Sequence, residues 1–389
     1  DLGPEPVFLI SGGTAGIAMP ILRDLTGRVR GRFYLVGSRP LPAENDRDLL
    51  LLQSDRSQLL RQWHAQAASQ GQRRLSPAVL EARLAALERS AAVLREIGQL
   101  QSRGVQITYL SCDLTDRTQI AALVEQVQQR EAQVDVFIHA AGTERSRRLE
   151  SKPDAEIQQV LAVKLGGFIG LLRALQGAKR WPKAVVSFSS VAGRFGNAGQ
   201  TDYAAANDGL ARLSAHLQGR FPAARWITID WGAWAEVGMA SRGNLPKLME
   251  KAGIEMLQPA AAAPLVYREI TAGGGEVILA GALGQLASPR ANLESLDLEK
   301  ANHALTAGQP IHVMLSRAAG MDLHEGLQLE AELDPNQEPF LKDHALNGVP
   351  LLPGVMGIEG FATAARHVAT CLGSEQGEFR VAGLEDIQF

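Results

Sequence analysis

The chain of 389 residues combines 46% hydrophobic with 21% charged residues and carries a formal net charge of −3. This composition is typical of a folded globular protein, and the small net charge argues against general binding to nucleic acid or to a membrane surface. No apolar run reaches the length of a bilayer span. The two cysteines, Cys112 and Cys371, are far apart and predict neither a disulfide framework nor a metal site. We therefore expect a cytoplasmic protein of two or three domains, and an apolar pattern that runs up to Phe389 indicates a fragment of a longer polypeptide.

Seven short apolar runs, rich in β-branched or aromatic residues and bounded by Gly, Asp, Ser or Pro, alternate with helical patterns such as residues 119–130 and 157–175. Runs without polar alternation are typical of strands buried on both faces of a parallel sheet. The alternation predicts a Rossmann-type, doubly wound α/β domain over residues 1–285. The predicted strands are residues 7–10, 33–36, 106–110, 134–140, 184–190, 225–231 and 276–280.

Two segments depart from this alternation. Residues 44–102 are charged, rich in Leu and Ala, and helical in period, which predicts a helical insertion of two helices divided near residues 76–79. A solvated surface feature is the simplest interpretation, and a docking surface for a neighbouring domain is the alternative. Residues 286–305 resemble a linker, and residues 306–389 combine an alternating strand, turn residues and an apolar helix, as expected for part of a second, α+β domain.

A glycine-rich loop, "SGGTAGIA", follows the first strand and precedes a helix. Glycine permits a tight turn and close backbone approach, and the helix N-terminus offers N–H groups to a pyrophosphate. The spacing is G-x-x-x-G-x-A, with Ala18 in the last glycine position. A glycine-rich turn also occurs without any ligand, which is the alternative interpretation. The candidate cofactor contacts in this loop are Ser11, Gly12, Gly13, Thr14, Gly16 and Ile17.

The residues after the second strand predict the identity of the cofactor. An acidic residue there selects NAD, but this chain has Ser38 and Arg39, and a guanidinium suits a 2′-phosphate. The sequence therefore predicts NADPH, with a plain surface arginine as the alternative. Asp113 and Leu114, after the third strand, are candidates to flank the adenine. Small residues after the fourth strand leave room for the cofactor to pass, and these are Ala140, Ala141 and Gly142.

The stretch "SSVAGRFGNAGQTDYAAANDG" contains a candidate proton donor, Tyr203. The unperturbed pKa of tyrosine is about 10, so the phenol needs a nearby cation to ease its ionisation. Four residues further on, where many reductases carry a lysine, this chain has Asn207. Lys164 is a lone cation in "VLAVKLGGFIGLL", a helical pattern too apolar to face solvent all round, and a snorkelling surface lysine is the alternative interpretation.

The order of "SGGTAGIA", "CDLTD", "HAAG", "SSVAG", "YAAAN" and "DWGAW" resembles the short-chain dehydrogenase/reductases. More narrowly, it resembles the ketoreductase domains of polyketide synthases and polyunsaturated fatty acid synthases, over residues 7–285 apart from the insertion. This resemblance implies that lysine and asparagine have exchanged places, so that Lys164 stabilises the tyrosinate and Asn207 holds a water or backbone group. It also implies that Ser190, thirteen residues before Tyr203, polarises the substrate carbonyl.

The sequence "HALNGVPLLP" fits H-x-x-x-G-x-x-x-x-P and resembles the first half of a double-hotdog dehydratase from the same synthases. The resemblance implies that His344 is the general base that acts on a β-hydroxyacyl thioester. Its partner aspartate is expected in a second hotdog, which follows residue 389. Glu359 aligns with a glutamate that is catalytic in stand-alone hotdog dehydratases and usually structural in double-hotdog domains.

The resemblance implies reduction of a β-ketoacyl chain on the phosphopantetheine arm of an acyl carrier protein, followed by dehydration, in a synthase that is a homodimer. A free-standing NADPH reductase of small ketones and a non-catalytic structural module are the alternatives. Neither marker of the hand of the alcohol is present. The stretch "TERSRRLE" replaces an LDD motif, and Phe195 stands where a tryptophan marks the opposite hand.

Overall fold

The structure is a computed structural model that describes residues 2–14, 16–43, 45–69, 76–176, 181–241, 243–287, 298–306, 313–322, 326–371 and 381–383. It divides into two compact units, Asp1–Ala287 and Ser288–Phe389. The division falls inside the segment expected to be a linker. Within that segment the helix Leu298–Thr306 belongs to the second unit, so the expected linker contains regular structure.

The first unit is built on a parallel sheet of seven strands, which confirms the predicted doubly wound fold. The strands lie in the order β3-β2-β1-β4-β5-β6-β7, which places the chain reversal between β1 and β4. In such sheets ligands bind at the carboxyl ends of the strands near that reversal. The strands are β1 (Val7–Ser11), β2 (Arg32–Gly37), β3 (Gln106–Ser111), β4 (Val136–His139), β5 (Ala184–Ser190), β6 (Arg225–Trp231) and β7 (Gly275–Leu279).

Helices cover both faces of this sheet, and two apolar clusters fill the space between the layers. All five residues of β1 are buried, as the unbroken apolar run predicts for a strand covered on both sides. The helices of the first unit are α1 (Ala18–Arg28), α2 (Arg47–Ser54), α3 (Arg56–Ser69), α4 (Pro77–Ser102), α5 (Arg117–Gln128), α6 (Asp154–Leu161), α7 (Gly167–Gln176), α8 (Val191–Phe195), α9 (Thr201–Arg220), α10 (Leu245–Lys251) and α11 (Pro259–Ala272).

The described residues of the insertion form three helices, α2, α3 and α4, where the sequence predicted two. The predicted break near residues 76–79 is present, because Ser76 caps α4 and Pro77 opens it. The additional break is at Asp55, which ends α2. The insertion has a small core around Trp63, and the last turns of α4 pack against the sheet through Ile97 and Leu100. The end of α4 is therefore the crossover helix itself and not inserted material.

A π-helical turn (Ala162–Gly166) joins α6 to α7 within one continuous helix. Such turns are rare and occur frequently at functional sites. By length and composition this helix, Asp154–Gln176, could cross a membrane, so the expectation that no apolar run is long enough is wrong by that measure. It is weak evidence for a span, because core helices of folded domains pass the same test. Here α7 packs against α5, and the π-helical turn packs against α9.

The described part of the second unit combines two short hairpins with an apolar helix. Asn347 and Gly348 both have positive φ in the second hairpin, which is the pairing that a tight Asn-Gly hairpin turn requires. The elements are α12 (Leu298–Thr306), β8 (Arg317–Asp322), β9 (Gly326–Glu330), α13 (Pro339–Asp343), β10 (Ala345–Leu346), β11 (Val349–Pro350) and α14 (Gly354–Cys371).

Candidate active site

The loop between β1 and α1 needs glycine at two positions. Gly12 has φ +70°, and a Cβ on it would lie 2.6 Å from the backbone nitrogen of Ala141. Gly16 has φ +56°, a conformation that residues with a Cβ rarely adopt. The loop therefore lies against the segment after β4, and the N-terminus of α1 presents N–H groups that suit an anion.

A groove of about 630 Å³ passes over this loop and brings together most of the predicted cofactor residues. These residues come from the carboxyl ends of β1, β2, β3 and β4. The Tyr109 hydroxyl donates a hydrogen bond to the Arg39 carbonyl, which holds the backbone after β2 in place. The predicted residues that line the groove are Gly12, Thr14, Ser38, Arg39, Asp113, Leu114, Ala141 and Gly142.

Five predicted cofactor residues do not line this groove. The Ser11 side chain is buried in the sheet and bonds His139. Gly13 packs against the side chain of Ile10. Ile17 lines the neighbouring cleft. Gly16 and Ala140 contribute to the loop and to the strand end without forming the groove wall.

Tyr203 and Lys164 meet at this edge of the sheet, although 39 residues separate them in sequence. Tyr203 lies in the first turn of α9 and is 8% exposed, and Lys164 lies in the π-helical turn and is 4% exposed. The Lys164 ammonium is 5.5 Å from the centre of the Tyr203 ring. It donates a 2.9 Å hydrogen bond to the Phe188 carbonyl of β5. Lys164 is therefore a buried cation beside the tyrosine and not a snorkelling surface lysine.

Burial shifts the pKa of both groups. It lowers the pKa of Lys164 to about 8, because an ammonium is disfavoured away from water. It raises the pKa of Tyr203, contacts with the side chains of Asn207 and Ser190 oppose that rise, and the negative charge of Glu144 adds to it. The phenol is therefore protonated at neutral pH, which is the form that can give a proton.

Ser190 is placed to donate a hydrogen bond into the cleft. It caps α8, and its hydroxyl oxygen accepts a 3.1 Å hydrogen bond from the backbone N–H of Ala192. Because the oxygen accepts in that bond, the hydroxyl hydrogen is available to a substrate carbonyl. The adjacent Ser189 is 4% exposed and donates to the Asn207 carbonyl, 3.2 Å away.

Asn207 holds a backbone group and not a charge. Its Nδ2 donates a 2.7 Å hydrogen bond to the Tyr203 carbonyl, one turn earlier on α9. Its Oδ1 is buried and has no hydrogen-bond partner among the described residues. Asn207 is fully buried, so it fixes the turn of α9 that carries Tyr203.

A cleft of about 230 Å³ opens beside Tyr203 and Ser190. One wall is polar and linked by hydrogen bonds, in which Ser146 donates to Glu144 over 2.6 Å and Gln200 donates to Ser146 over 3.2 Å. Much of the remaining lining is apolar, which suits an acyl chain. Its apolar residues include Val237, Met239, Leu245, Met249, Ile254, Leu283 and Leu286.

Two buried polar features of this region were not predicted from the sequence. His139, the first residue of "HAAG", lies between Ser11 and the Lys164 carbonyl. Lys152 forms an ion pair with Asp202, the residue before Tyr203, and both side chains are 1% exposed. A histidine inside an apolar run and a lysine in a polar loop give no local signal. Only the folded chain shows what each contacts.

In the second unit, His344 lies on the surface at the end of α13. Its Nδ1 is 3.0 Å from the Leu351 carbonyl. A carbonyl only accepts, so Nδ1 carries the hydrogen and Nε2 has the free lone pair that a general base needs. Glu359 on α14 accepts hydrogen bonds from Thr363 and Arg366 of the same helix.

Comparison with known proteins identifies two family regions. A family model for the KR domain matches residues 6–236, and one for the polyketide synthase dehydratase domain matches residues 312–389. The chain is 24% identical over its full length to a polyunsaturated fatty acid synthase of Thraustochytrium sp., and it spans 12% of that polypeptide. It is 33% identical over 55% of its length to polyketide synthase GfsB of Streptomyces halstedii, of which it spans 4%.

Solved structures share the fold of the first unit. A ketoreductase domain from the bacillaene assembly line superposes with a TM-score of 0.55 and 21% identity, over 73% of this chain and 58% of that one. The actinorhodin polyketide ketoreductase, solved with NADPH, superposes with a TM-score of 0.53 and 18% identity, over 72% of this chain and 97% of that one. These similarities establish the Rossmann-type architecture.

Proposed function

This chain belongs to the KR domain family through residues 6–236, and from that premise we propose that its first unit uses NADPH to reduce a β-ketoacyl thioester to the β-hydroxyacyl thioester. The observation that carries the proposal is the buried Lys164 ammonium beside the Tyr203 ring, at a cleft that Ser190 also lines. This arrangement supplies a proton donor, a cation to stabilise its anion, and a donor for a carbonyl oxygen.

Each of the site residues has a separate role in the proposed reaction. The Ser190 hydroxyl donates to the ketone oxygen and polarises the carbonyl. Tyr203 transfers its proton to that oxygen, and the Lys164 ammonium stabilises the tyrosinate that remains. When bound, NADPH supplies the hydride that the carbonyl carbon takes up. Asn207 keeps Tyr203 in position through the Tyr203 carbonyl.

The groove fits the proposed cofactor. The side of Gly12 where a Cβ would be is filled by the backbone of Ala141, so the loop is narrow enough for backbone N–H groups to approach a pyrophosphate. Arg39 and Ser38 are exposed at the end of β2 and line the groove. A guanidinium and a hydroxyl at that position favour a 2′-phosphate, and hence NADPH over NADH.

We further propose that the substrate is carried on the phosphopantetheine arm of an acyl carrier protein, within a multidomain synthase. The relatives are long synthases, of which the chain spans a small fraction. The loop beside the cleft exposes three arginines, Arg145, Arg147 and Arg148. Glu156 pairs with the first two, at 3.2 and 3.8 Å. Exposed guanidinium groups beside the cleft suit the phosphate of a phosphopantetheine arm.

The second unit supports dehydration as the next step, with His344 as the base that removes the α-proton. The Leu351 carbonyl orients its ring so that Nε2 is free to accept that proton. The dehydratase match over residues 312–389 favours a synthase over a free-standing reductase of small ketones. Tyr203, Ser190 and the glycine loop are all present, which disfavours a non-catalytic module.

The test is Tyr203→Phe in the full chain, with a β-ketoacyl N-acetylcysteamine thioester as substrate and loss of nicotinamide absorbance as the readout. We expect turnover to fall by about 10²–10⁴-fold, the usual contribution of a general acid, while NADPH still binds. Tyr267→Phe on α11 is the matched control and should retain activity. Near wild-type turnover by Tyr203→Phe would refute the assignment.

A further inference from the structure

Three buried polar groups form a continuous chain behind the active site. Ser11 ends β1, His139 ends β4, and the two are direct neighbours in the parallel register of these strands. Ser11 Oγ is 2.7 Å from His139 Nδ1, and His139 Nε2 is 2.8 Å from the Lys164 carbonyl oxygen. Ser11 and His139 are fully buried.

The partners determine where the protons are. The Lys164 carbonyl can only accept, so His139 Nε2 carries the hydrogen and donates it. Nδ1 is then the acceptor, and the Ser11 hydroxyl donates to it. Burial and the nearby Lys164 charge lower the pKa of His139 to about 3, so the ring is neutral. The imidazole is therefore held in one tautomer between a fixed donor and a fixed acceptor.

This chain of hydrogen bonds holds the backbone of Lys164 in place. His139 holds its carbonyl, and the Phe188 carbonyl holds its ammonium. The residue lies in the π-helical turn, where the regular α-helical hydrogen-bond pattern is interrupted. Gly142, three residues after His139, makes room for the Lys164 ammonium, because a Cβ on this glycine would lie 3.2 Å from Lys164 Nζ. Two strands of the sheet thus set the position of the lysine.

We propose that His139 is a positioning residue for the reduction, which acts by holding the Lys164 backbone so that the ammonium stays beside Tyr203. The inference rests on the proposed roles of Lys164 and Tyr203. His139 touches neither the substrate cleft nor the cofactor groove. His139 also bonds Ser11, the first residue of the glycine loop. One side chain therefore contacts both the cofactor loop and the backbone of Lys164.

A purely structural role for a buried histidine predicts a different result. Loss of packing would lower the thermal midpoint without changing how activity depends on pH. Displacement of Lys164 would change that dependence. The side chains of Asn207, Ser190 and Glu144 affect the pKa of Tyr203, and the Lys164 ammonium lies 5.5 Å from the centre of its ring. Among the charged residues in this set, Lys164 is the one that His139 contacts.

The experiment compares His139→Phe and Ser11→Ala in the full chain, with Leu175→Ala as a control that destabilises α7 without touching the chain of hydrogen bonds. kcat, KM, NADPH affinity, the thermal midpoint and the pH profile of kcat are measured for each. For His139→Phe we expect kcat to fall by about 10²-fold, the size of effect that an ångström of misplacement produces. We expect the alkaline limb of the profile to move to higher pH. Loss of the Lys164 proton sets that limb, because the pKa of Lys164 is about 8 while the pKa of Tyr203 is raised, and an ammonium displaced towards water has a higher pKa. Ser11→Ala should move the limb in the same direction by a smaller amount.

An unmoved alkaline limb in His139→Phe, with a loss of activity no larger than in Leu175→Ala, would overturn the inference. If His139→Phe does not fold, Ser11→Ala decides, and an unmoved limb in that variant overturns it equally. Tyr203→Phe separates the two proposals. If Tyr203→Phe stays active, the proposed function fails. If Tyr203→Phe is inactive while His139→Phe and Ser11→Ala behave like the control, only the positioning role fails.

Discussion

Burial of the Lys164 ammonium lowers the stability of the fold at a residue that is proposed to act in the reduction. Its pKa falls from 10.5 to about 8, so below pH 8 the folded protein holds a charge that the unfolded chain would solvate more favourably. The same charge is the one proposed to stabilise the tyrosinate. Active sites commonly retain groups that destabilise the fold in this way.

Lys164→Met should abolish reduction and raise the thermal midpoint at pH 7. A methionine fills a similar volume without the buried charge. The unfolded wild type binds more protons than the folded form between pH 8 and 10.5, so wild-type stability rises with pH across that window relative to the variant. Thermal melts of both proteins from pH 7 to 10.5 test this, and the variant's advantage should narrow. An advantage that does not change with pH would mean that the gain comes from packing.

Arg39→Ala should weaken NADPH binding far more than NADH binding. The charge-assisted hydrogen bond to the 2′-phosphate is lost, and NADH has no such phosphate. Titration of each cofactor by fluorescence measures the two dissociation constants. Arg95→Ala, an exposed arginine on α4, is the control and should change neither. Equal weakening of both cofactors would show that Arg39 only supports the loop.

Among single residues, those that belong to a motif or to an apolar helical pattern could be predicted from the sequence. Those whose hydrogen-bond partners are far away in sequence could not. Tyr203, Ser190 and Lys164 follow from motifs and from a lone charge in an apolar helix. The partners of His139 are the end of another strand and the π-helical turn of a helix, 128 and 25 residues away. The residues around a histidine in an apolar run do not show whether its ring only packs in the core or also holds another residue by hydrogen bonds.

Among the secondary-structure elements, α9 is held at its start by the buried ion pair of Lys152 and Asp202. Lys152 ends the loop that carries the polar wall of the cleft, and Asp202 immediately precedes Tyr203. The pair therefore fixes that wall relative to the proton donor. A second oxygen of Asp202 is buried without a hydrogen-bond partner among the described residues, so the pair offsets its own desolvation incompletely.

Replacing one partner of this pair should be worse than replacing both. Lys152→Met leaves a buried unpaired carboxylate and should lower the free energy of unfolding by about 3–5 kcal/mol. The double variant Lys152→Met, Asp202→Leu should lose less stability than Lys152→Met alone, because no buried charge is left unpaired. Denaturant unfolding gives the coupling energy. The exposed Arg212–Asp208 pair on the same helix is the control, and its single variants should change stability by less than about 1 kcal/mol. Additive losses at Lys152 and Asp202 would contradict the coupling.

The strands and the crossover helices were predictable because each has its own apolar period. The π-helical turn was not, since the sequence "LAVKLGG" continues the pattern of an ordinary α-helix. Its register change is accompanied by contacts from β4 and β5 that no local pattern encodes. The third helix of the insertion was missed for a simpler reason. Asp55 breaks an otherwise helical stretch without a glycine or a proline to mark it.

For the molecule as a whole, the groups proposed for reduction all lie in Asp1–Ala287, and His344 lies in Ser288–Phe389. His344→Ala should therefore leave ketoreduction unchanged, within about the twofold scatter expected of surface substitutions. NADPH consumption with the thioester substrate measures this, with Tyr203→Phe as the inactive reference. A large loss of ketoreduction would mean that the two units depend on each other.

The overall architecture could be predicted from the sequence, because fold class depends on the order of strand-like and helix-like apolar patterns along the chain and not on individual contacts. The division between the units was harder to place. The segment chosen as a linker lacks strand periodicity, yet it includes α12, which packs against β8 and α14. A short helix that is stabilised mainly by such neighbours has too weak a period of its own to be recognised.

Because Tyr203 and Lys164 are on different helices, their meeting depends on tertiary packing alone. Where a lysine follows its tyrosine by one turn, a single helix preserves the pair even when that helix separates from the sheet. Here any loosening of α6, α7 or α9 against β4 and β5 separates the acid from its cation while the helices themselves remain intact. The proposed catalytic pair thus depends on side-chain packing, and we expect a compact state with native helices and melted packing to be inactive.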